Sequence, residues 1–251
     1  VAARPEEPVK MVTKQVLIRR EAVMLSSVYS ELLSDEASGA KVGYISLNNF
    51  SQSAAGDTAK AIKQLENEGA GSYILDLRNN GGGLVQAGLD IARLWLDGPA
   101  TIFHVHGRFD DLQQNVTLPD GAALTHRPLA VLVNKGSASA SEILAGALHD
   151  NNRARIIGNT PTFGKGKIQS VFELDDGSAL FVTVAKYTTP NDHEIDQIGI
   201  TPDLTCGQPR VLQADTKSIE QEIMSLIQET DEDACVQSAE RFLRSQGHKE
   251  A

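Results

Sequence analysis

Three serines at every second position, Ser137, Ser139 and Ser141 in KGSASASEIL (135–144), follow a strand-sized apolar run and open a helix-like one. A serine becomes a nucleophile when a base takes its proton and when free N–H groups receive the negative charge its attack creates. A Gly-bearing turn from a buried strand into a helix provides such groups, because the first helical turn leaves its N–H donors unpaired. Helix capping is the structural alternative. Ser139 ahead of Ala140, Ser141 and Glu142 is also a passable capping-box start, and this stretch alone does not separate the two.

The proton acceptor is histidine or lysine. The six histidines are His104, His106, His126, His149, His193 and His248, and none lies in a motif that marks a base. A Ser–His pair using His149 or His106 predicts a rate limb near pH ~6.5, and a lysine places it higher. A lysine is useless as a base until burial favours its neutral form. Lys165, in TFGKGKIQS (162–170), lies between Gly164 and Gly166, where the backbone can approach another segment closely, with Phe163 and Ile168 placed to desolvate it. Lys167 would share a strand face with Lys165, so alternation does not choose between them; the glycine bracket favours Lys165. The alternative for either is a solvated charge.

A third segment, LDLRNNGGGL (75–84), sets a glycine run between a strand and a helix. Such a nest of N–H groups binds phosphate or an oxyanion, or is simply a turn. It lacks the spacing of a dinucleotide fingerprint and the Gly-Lys-Ser/Thr ending of a P-loop. Asp76, Arg78 and Asn79 are placed to orient it through hydrogen bonds.

The elements that position these residues read as α/β. Strands are predicted at 11–19, 41–50, 72–80, 101–108, 128–134 and 154–159, and a hairpin over 168–190 turns at Asp175-Asp176-Gly177. Helices are predicted at 54–71, 86–96 and 138–152, with a helical, acidic tail from about Leu212 to His248. Residues 26–40 read as a short helix or loop, and 109–127 as an exposed excursion. Strand–helix alternation through 41–160 implies helices crossing between strands of one sheet.

The 251 residues suffice for one large domain or one domain with an appendage. Net charge is −10, with 33 acidic against 23 basic residues, which argues against nucleic acid as a partner. No apolar stretch approaches the length of a membrane span. The opening VAARPEEPVK has no apolar signal-peptide core and no initiator methionine, so a mature form or a fragment is expected. Cys206 and Cys235 sit in no metal-binding spacing, so no metal or other cofactor is expected; they are two free thiols or one disulfide.

DLRNNGGGL (76–84), VLVNKGSASASEILAGALHDN (131–151), TFGKGKIQ (162–169) and IGITPD (198–203), in this order and spacing, resemble the carboxyl-terminal processing (tail-specific) protease family. The resemblance covers about Lys41 to Asp203. It implies a crotonase-like α/β core of stacked ββα units and a serine endopeptidase acting near the C-termini of proteins. Carried over by position, it implies Ser139 as nucleophile, Lys165 as base, Gln169 orienting the lysine, the N–H groups of Ala140 and Gly83 as oxyanion donors, and Asp150 in a supporting place. The stretch IIGNTPTFGKG carries one residue more than the family's usual spacing, at Asn159–Pro161. The family normally has a PDZ domain upstream, whereas only 40 residues precede Lys41 here and they lack its Gly-Leu-Gly loop. The expected organisation is therefore 1–40 as an exit segment after an absent PDZ domain, 41–205 as the protease core and 206–251 as a helical tail.

Within the family, AKYTTPNDHEIDQIGITPD and DACVQSAERFL look most like the plant and algal enzymes that trim the photosystem II reaction-centre precursor in the thylakoid lumen, with bacterial periplasmic relatives as the alternative. Unstructured protein C-termini, including tails of membrane proteins reached from the periphery, are the implied partners. A non-catalytic binding module on the same fold is the competing reading, and intact Ser139, Lys165 and Gln169 count against it. Either oxidising compartment would permit a Cys206–Cys235 disulfide pinning the tail to the core.

Overall fold

Five strands of one sheet run parallel: β2 (Lys41–Leu47), β3 (Ser72–Asp76), β6 (Leu129–Val133), β7 (Ala154–Gly158) and β10 (Leu204–Thr205). β1 (Val28–Ser34) closes one edge antiparallel to β2, giving the order β1-β2-β3-β6-β7-β10. This computed structural model describes residues 26–34, 39–108, 113–207 and 233–247. The strand expected over 11–19 and the part of the tail before Asp233 lie outside the described residues.

Successive crossovers α1 (Ala54–Asn67), α2 (Val85–Trp95) and α3 (Ala140–Asp150) connect strands that advance in one direction across the sheet. Right-handed crossovers that keep advancing put every helix on the same face. That face holds the main core, in which Ile62, Leu65, Ile91, Trp95, Leu144 and Leu148 meet Tyr73, Leu75, Val131 and Ile156. Alternate strand residues Ile74, Ala130, Leu132 and Ile157 point to the opposite face, where Ala239 and Leu243 of α4 (Ala234–Gly247) cover them. The strands therefore read as continuous apolar runs, being buried on both sides.

A second sheet, ordered β5-β4-β9-β8, is antiparallel: β4 (Ala100–Gly107), β5 (Gln114–Leu118), β8 (Lys167–Glu173) and β9 (Ala179–Thr188). Two sequence expectations are corrected. Residues 28–34 form a strand rather than a helix or loop, because seven consecutive pairs with β2, from Val28↔Leu47 to Ser34↔Lys41, override local preference. The excursion at 109–127 contains β5, whose QNVTL sequence hid it: an exposed edge strand keeps only Val116 and Leu118 turned towards the core.

Cys206 and Cys235 are joined, with Cα atoms 4.8 Å apart, so the bond pins α4 to the end of β10. The bond spans 29 residues of chain, for which loop-closure entropy gives about 3–4 kcal/mol. Cys206→Ser with Cys235→Ser is expected to lower the unfolding free energy by that order in a denaturant titration. A loss under about 1 kcal/mol would mean that apolar burial alone holds the helix.

Candidate active site

Neighbouring parallel strands β3, β6 and β7 all end on one edge of the sheet, where open α/β sheets build their sites. The loop after β3 carries the glycine triplet, the loop after β6 the serines, and the loop after β7 Lys165. Hydrogen bonds tie the first two loops together. Asn79 N–H donates to Asn134 Oδ1 at 2.9 Å and Asn134 Nδ2 to Asn79 Oδ1 at 3.0 Å, while Ala138 N–H reaches Asn80 O at 3.0 Å.

The three serines now separate. Ser137 Oγ donates to Leu77 O at 2.8 Å and accepts from Asn134 N–H at 3.0 Å; Ser141 Oγ donates to Asn80 O at 2.8 Å. Both are buried and committed to holding the loops. Ser139 is the N-cap of α3, with φ +57° and ψ −116°. A non-glycine residue held in such a conformation costs about 1–3 kcal/mol, and such positions concentrate where a side chain must be aimed. Gly82 makes room for it: a Cβ there would lie 2.7 Å from Ser139 Cβ and 3.1 Å from Ala140 N.

Ala140 N–H and Gly83 N–H, from the two loops that meet at Ser139, have no acceptor among the described residues. Ala140 N–H opens α3, where no intrahelical partner exists. Gly83 N–H is also unpaired, whereas Gly82 N–H donates to Asn80 Oδ1 at 2.9 Å. Phe50 fixes the triplet by accepting from Leu84 N–H at 2.8 Å and donating to Gly82 O at 3.1 Å. This arrangement can receive a carbonyl oxygen that gains charge.

Residues 161–167 alternate outward and inward, with Thr162, Gly164 and Gly166 turned in. A Cβ at Gly166 would stand 2.5 Å from Asp196 N, so the close backbone approach expected of the glycine bracket is made against 196–198. Alternation then turns Phe163 and Lys165 outward. The expected desolvation of Lys165 is therefore corrected: its side chain is exposed, as is Phe163 at 65%. Lys165 Nζ makes no hydrogen bond or ion pair among the described residues. Lys167, by contrast, lies 3.8 Å from Asp196 Oδ2. Gln169 is exposed on β8, and its amide reaches Thr183 Oγ1 at 3.5 Å rather than Lys165.

The residue that sequence reasoning gave only a capping role is Glu142. Its carboxylate, fully buried, accepts from Ser139 N–H at 2.9 Å, as a capping box requires. It also accepts from Thr162 Oγ1 and Gly164 N–H, both at 2.6 Å, and from Lys165 N–H at 2.9 Å. Ser139 and Lys165 thus share one oxygen, Oε2, which places their main-chain nitrogens within about 6 Å of each other. The serine and lysine loops meet on this one carboxylate. Only a contact across 20–23 residues reveals it, and no local periodicity encodes that.

Asp150 ends α3, roughly 15 Å of helix away from Ser139. It accepts from His149 Nδ1 at 2.7 Å and from Asn191 N–H at 2.9 Å, and so anchors the segment that packs on the lysine loop. Burial alone would push Asp150 up, but hydrogen bonds from His149, Thr189 and Asn191 N–H outweigh it and hold the carboxyl below its ordinary range. His149 is raised, chiefly by its bond to Asp150 and against burial, with Asp203 at 3.0 Å adding to the effect. A raised imidazole stabilises the fold fully below its unfolded value and loses that contribution as pH rises through the folded one. His149→Gln should therefore depress the melting temperature more at about pH 5.5 than at about pH 8.5. Equal depressions would contradict the ionic contact. His149 is held by Asp150 and Asp203, and His106 by Thr188 at 3.0 Å, so neither of the two histidines weighed as a base bonds Ser139.

Over residues 41–206 the sequence matches peptidase family S41. The carboxyl-terminal-processing peptidase 3, chloroplastic, of Arabidopsis thaliana is 50% identical over 235 residues, covering 92% of this chain and 45% of that protein. A carboxyl-terminal-processing protease of Synechocystis is 51% identical over 207 residues, covering 82% of this chain and 47% of that one. Among solved structures, a photosystem II D1 C-terminal processing protease superimposes with a TM-score of 0.65 at 36% identity, covering 79% of this chain and 53% of that one. The chain spans about half the length of the relatives it matches.

Proposed function

The chain belongs to peptidase family S41, and we propose that it carries the catalytic apparatus of a serine endopeptidase with a Ser139–Lys165 dyad, cutting near the C-termini of protein substrates. The observation that carries this reading is the Glu142 carboxylate, which binds the main chains of both residues. In the proposed reaction neutral Lys165 Nζ takes the Ser139 proton as Oγ bonds to the scissile carbonyl carbon. The carbonyl oxygen becomes an oxyanion between Ala140 N–H and Gly83 N–H. The C–N bond then breaks and the ammonium returns the proton to the leaving amine. Water attacks the acyl-enzyme by the same route in reverse and restores Ser139.

An amine must be neutral to act as a base, and exclusion of water favours that form. Exposed Lys165 meets this condition when the bound substrate covers it, with Phe163 beside it as apolar cover. Gln169 would orient the lysine in that closed state by leaving its marginal contact with Thr183. Chloroplast and cyanobacterial relatives, and the likeness to a photosystem II D1 processing protease, support the reaction-centre precursor as substrate and the thylakoid lumen as location. The Cys206–Cys235 bond is compatible with such an oxidising compartment.

Incubation with a serine-directed electrophile, followed by peptide mass spectrometry, tests the assignment. The adduct is expected on Ser139 and absent in Ser139→Ala, whereas an adduct on Ser137 or Ser141 would move the nucleophile. Wild-type chain should also shorten an unstructured peptide from near its C-terminus, and the alanine variant should not.

A further inference from the structure

Arg78 stands at the start of the loop that carries the glycine triplet, and its guanidinium joins a neighbouring carboxylate, Asp76, to a distant one, Asp233. Asp76, buried at the end of β3, accepts from Arg78 N–H at 2.9 Å and from Nε at 3.0 Å, with Nη2 at 2.5 Å. Asp233, ahead of α4, lies 2.6 Å from the same Nη2 through Oδ2. Its other oxygen caps the helix by accepting from Cys235 N–H at 2.9 Å and Val236 N–H at 3.3 Å. Cys235 is bonded to Cys206, whose N–H donates to Gly158 O at the end of β7. One carboxylate thus caps the tail helix and grips the oxyanion-loop arginine, and a covalent bond two residues away fixes that helix to the sheet.

We propose that α4 is a positioning element of the oxyanion hole: Asp233 holds Arg78, and Arg78 sets the course of the loop that presents Gly83 N–H. This rests on the dyad reading above. The chain turns sharply just after Arg78, where Asn79 takes φ +58°. Asn80 then buries its side chain, donating to Leu47 O at 2.7 Å and accepting from Gly82 N–H at 2.9 Å. The loop is therefore pinned at its start by these residues and at its far end by Phe50, whose N–H donates to Gly82 O at 3.1 Å, and the unpaired Gly83 N–H, in the same peptide as that carbonyl, takes its place from both anchors. A donor must sit where the oxyanion forms, and displacements well under 1 Å lower the rate. Both charges in the pair respond to it: against burial, Arg78 and two backbone N–H groups hold Asp233 below the ordinary carboxylate range, and, again against burial, Asp76 and Asp233 raise the Arg78 guanidinium above its ordinary value.

The discriminating measurement compares an oxo-ester with the matching thiono-ester of a short acylated peptide. Sulfur is larger and a weaker acceptor, so a tight oxyanion hole prefers the oxo-ester strongly. Asp233→Asn in the full chain is expected to lower kcat for the oxo-ester by roughly 3–10-fold with KM unchanged. It should also reduce the oxo/thiono ratio of kcat/KM, and Asp233→Glu should recover part of both. Cys206→Ser with Cys235→Ser, assayed well below its melting temperature, should move the ratio in the same direction. Hydrolysis by the parent chain that does not depend on Ser139, or no hydrolysis at all, would overturn the dyad reading and this proposal with it. Ser139-dependent hydrolysis with an oxo/thiono ratio unchanged in Asp233→Asn would overturn this proposal alone.

Discussion

Lys165→Ala and Lys165→Arg are each expected to lower peptide turnover by roughly 10²–10⁴-fold, the range that a positioned general base contributes. The arginine variant is the sharper test. It keeps the charge, the length and the glycine bracket, but a guanidinium does not deprotonate near neutral pH and so does not accept the Ser139 proton. Both variants should fold like the parent, because the side chain is exposed and Nζ holds no partner among the described residues. The contacts that place the loop run through the Lys165 main chain: its N–H donates to Glu142 and its carbonyl accepts from Tyr187 Oη. Lys167→Ala should change turnover by no more than about threefold, since it loses a partly exposed pair with Asp196 at 3.8 Å. Retained activity in Lys165→Arg, or a collapse in Lys167→Ala, would sink the dyad assignment. Steady-state kinetics on one peptide, with thermal unfolding of each variant, supplies the comparison.

How far the sequence specified this site follows from what sets each contact. The glycine loop, the strand before the serines and the helix after them were legible, because each is a local pattern of period and breaker residues. Their convergence followed from parallel-strand topology, since consecutive crossovers bring β3, β6 and β7 side by side. The role of Ser137 and Ser141 was not legible. All three serines look alike in one dimension, and only bonds to Leu77 O and Asn80 O, 60 and 61 residues away, separate them. The exposure of Lys165 was misread for a related reason. Neighbouring apolar residues suggested burial, but Gly164 and Gly166 take the inward places and turn Phe163 and Lys165 out together. Tail and core were read as separate units, although α4 covers the second face of the sheet that carries the site.

Glu142→Ala is the substitution expected to disturb both fold and chemistry. The carboxylate receives four hydrogen bonds within the core: three from rigid main-chain N–H groups and one from the Thr162 hydroxyl. A hydroxyl can rotate to another acceptor, but the N–H groups cannot, and each buried donor left unpaired costs about 1–3 kcal/mol. With some water entering the space, a net loss of about 3–5 kcal/mol is expected by chemical denaturation. Activity should fall further than stability accounts for. The two main chains that Glu142 joins would drift independently, and a misplacement near 1 Å costs roughly 10²-fold. At a temperature where the variant is still folded, kcat should drop by roughly that factor and Ser139 labelling should slow with it. Glu142→Gln separates charge from geometry. Its carbonyl oxygen, set in the place of Oε2, keeps both Ser139 N–H and Lys165 N–H. Its NH₂ then faces the Thr162 hydroxyl, which can turn to accept, and Gly164 N–H, which cannot. The glutamine variant should therefore lose stability chiefly through the Gly164 contact while keeping turnover within about tenfold of the parent. If alanine and glutamine instead reduce kcat equally while both remain folded, the negative charge of Glu142, and not the bridge it makes between the two loops, is what the reaction needs.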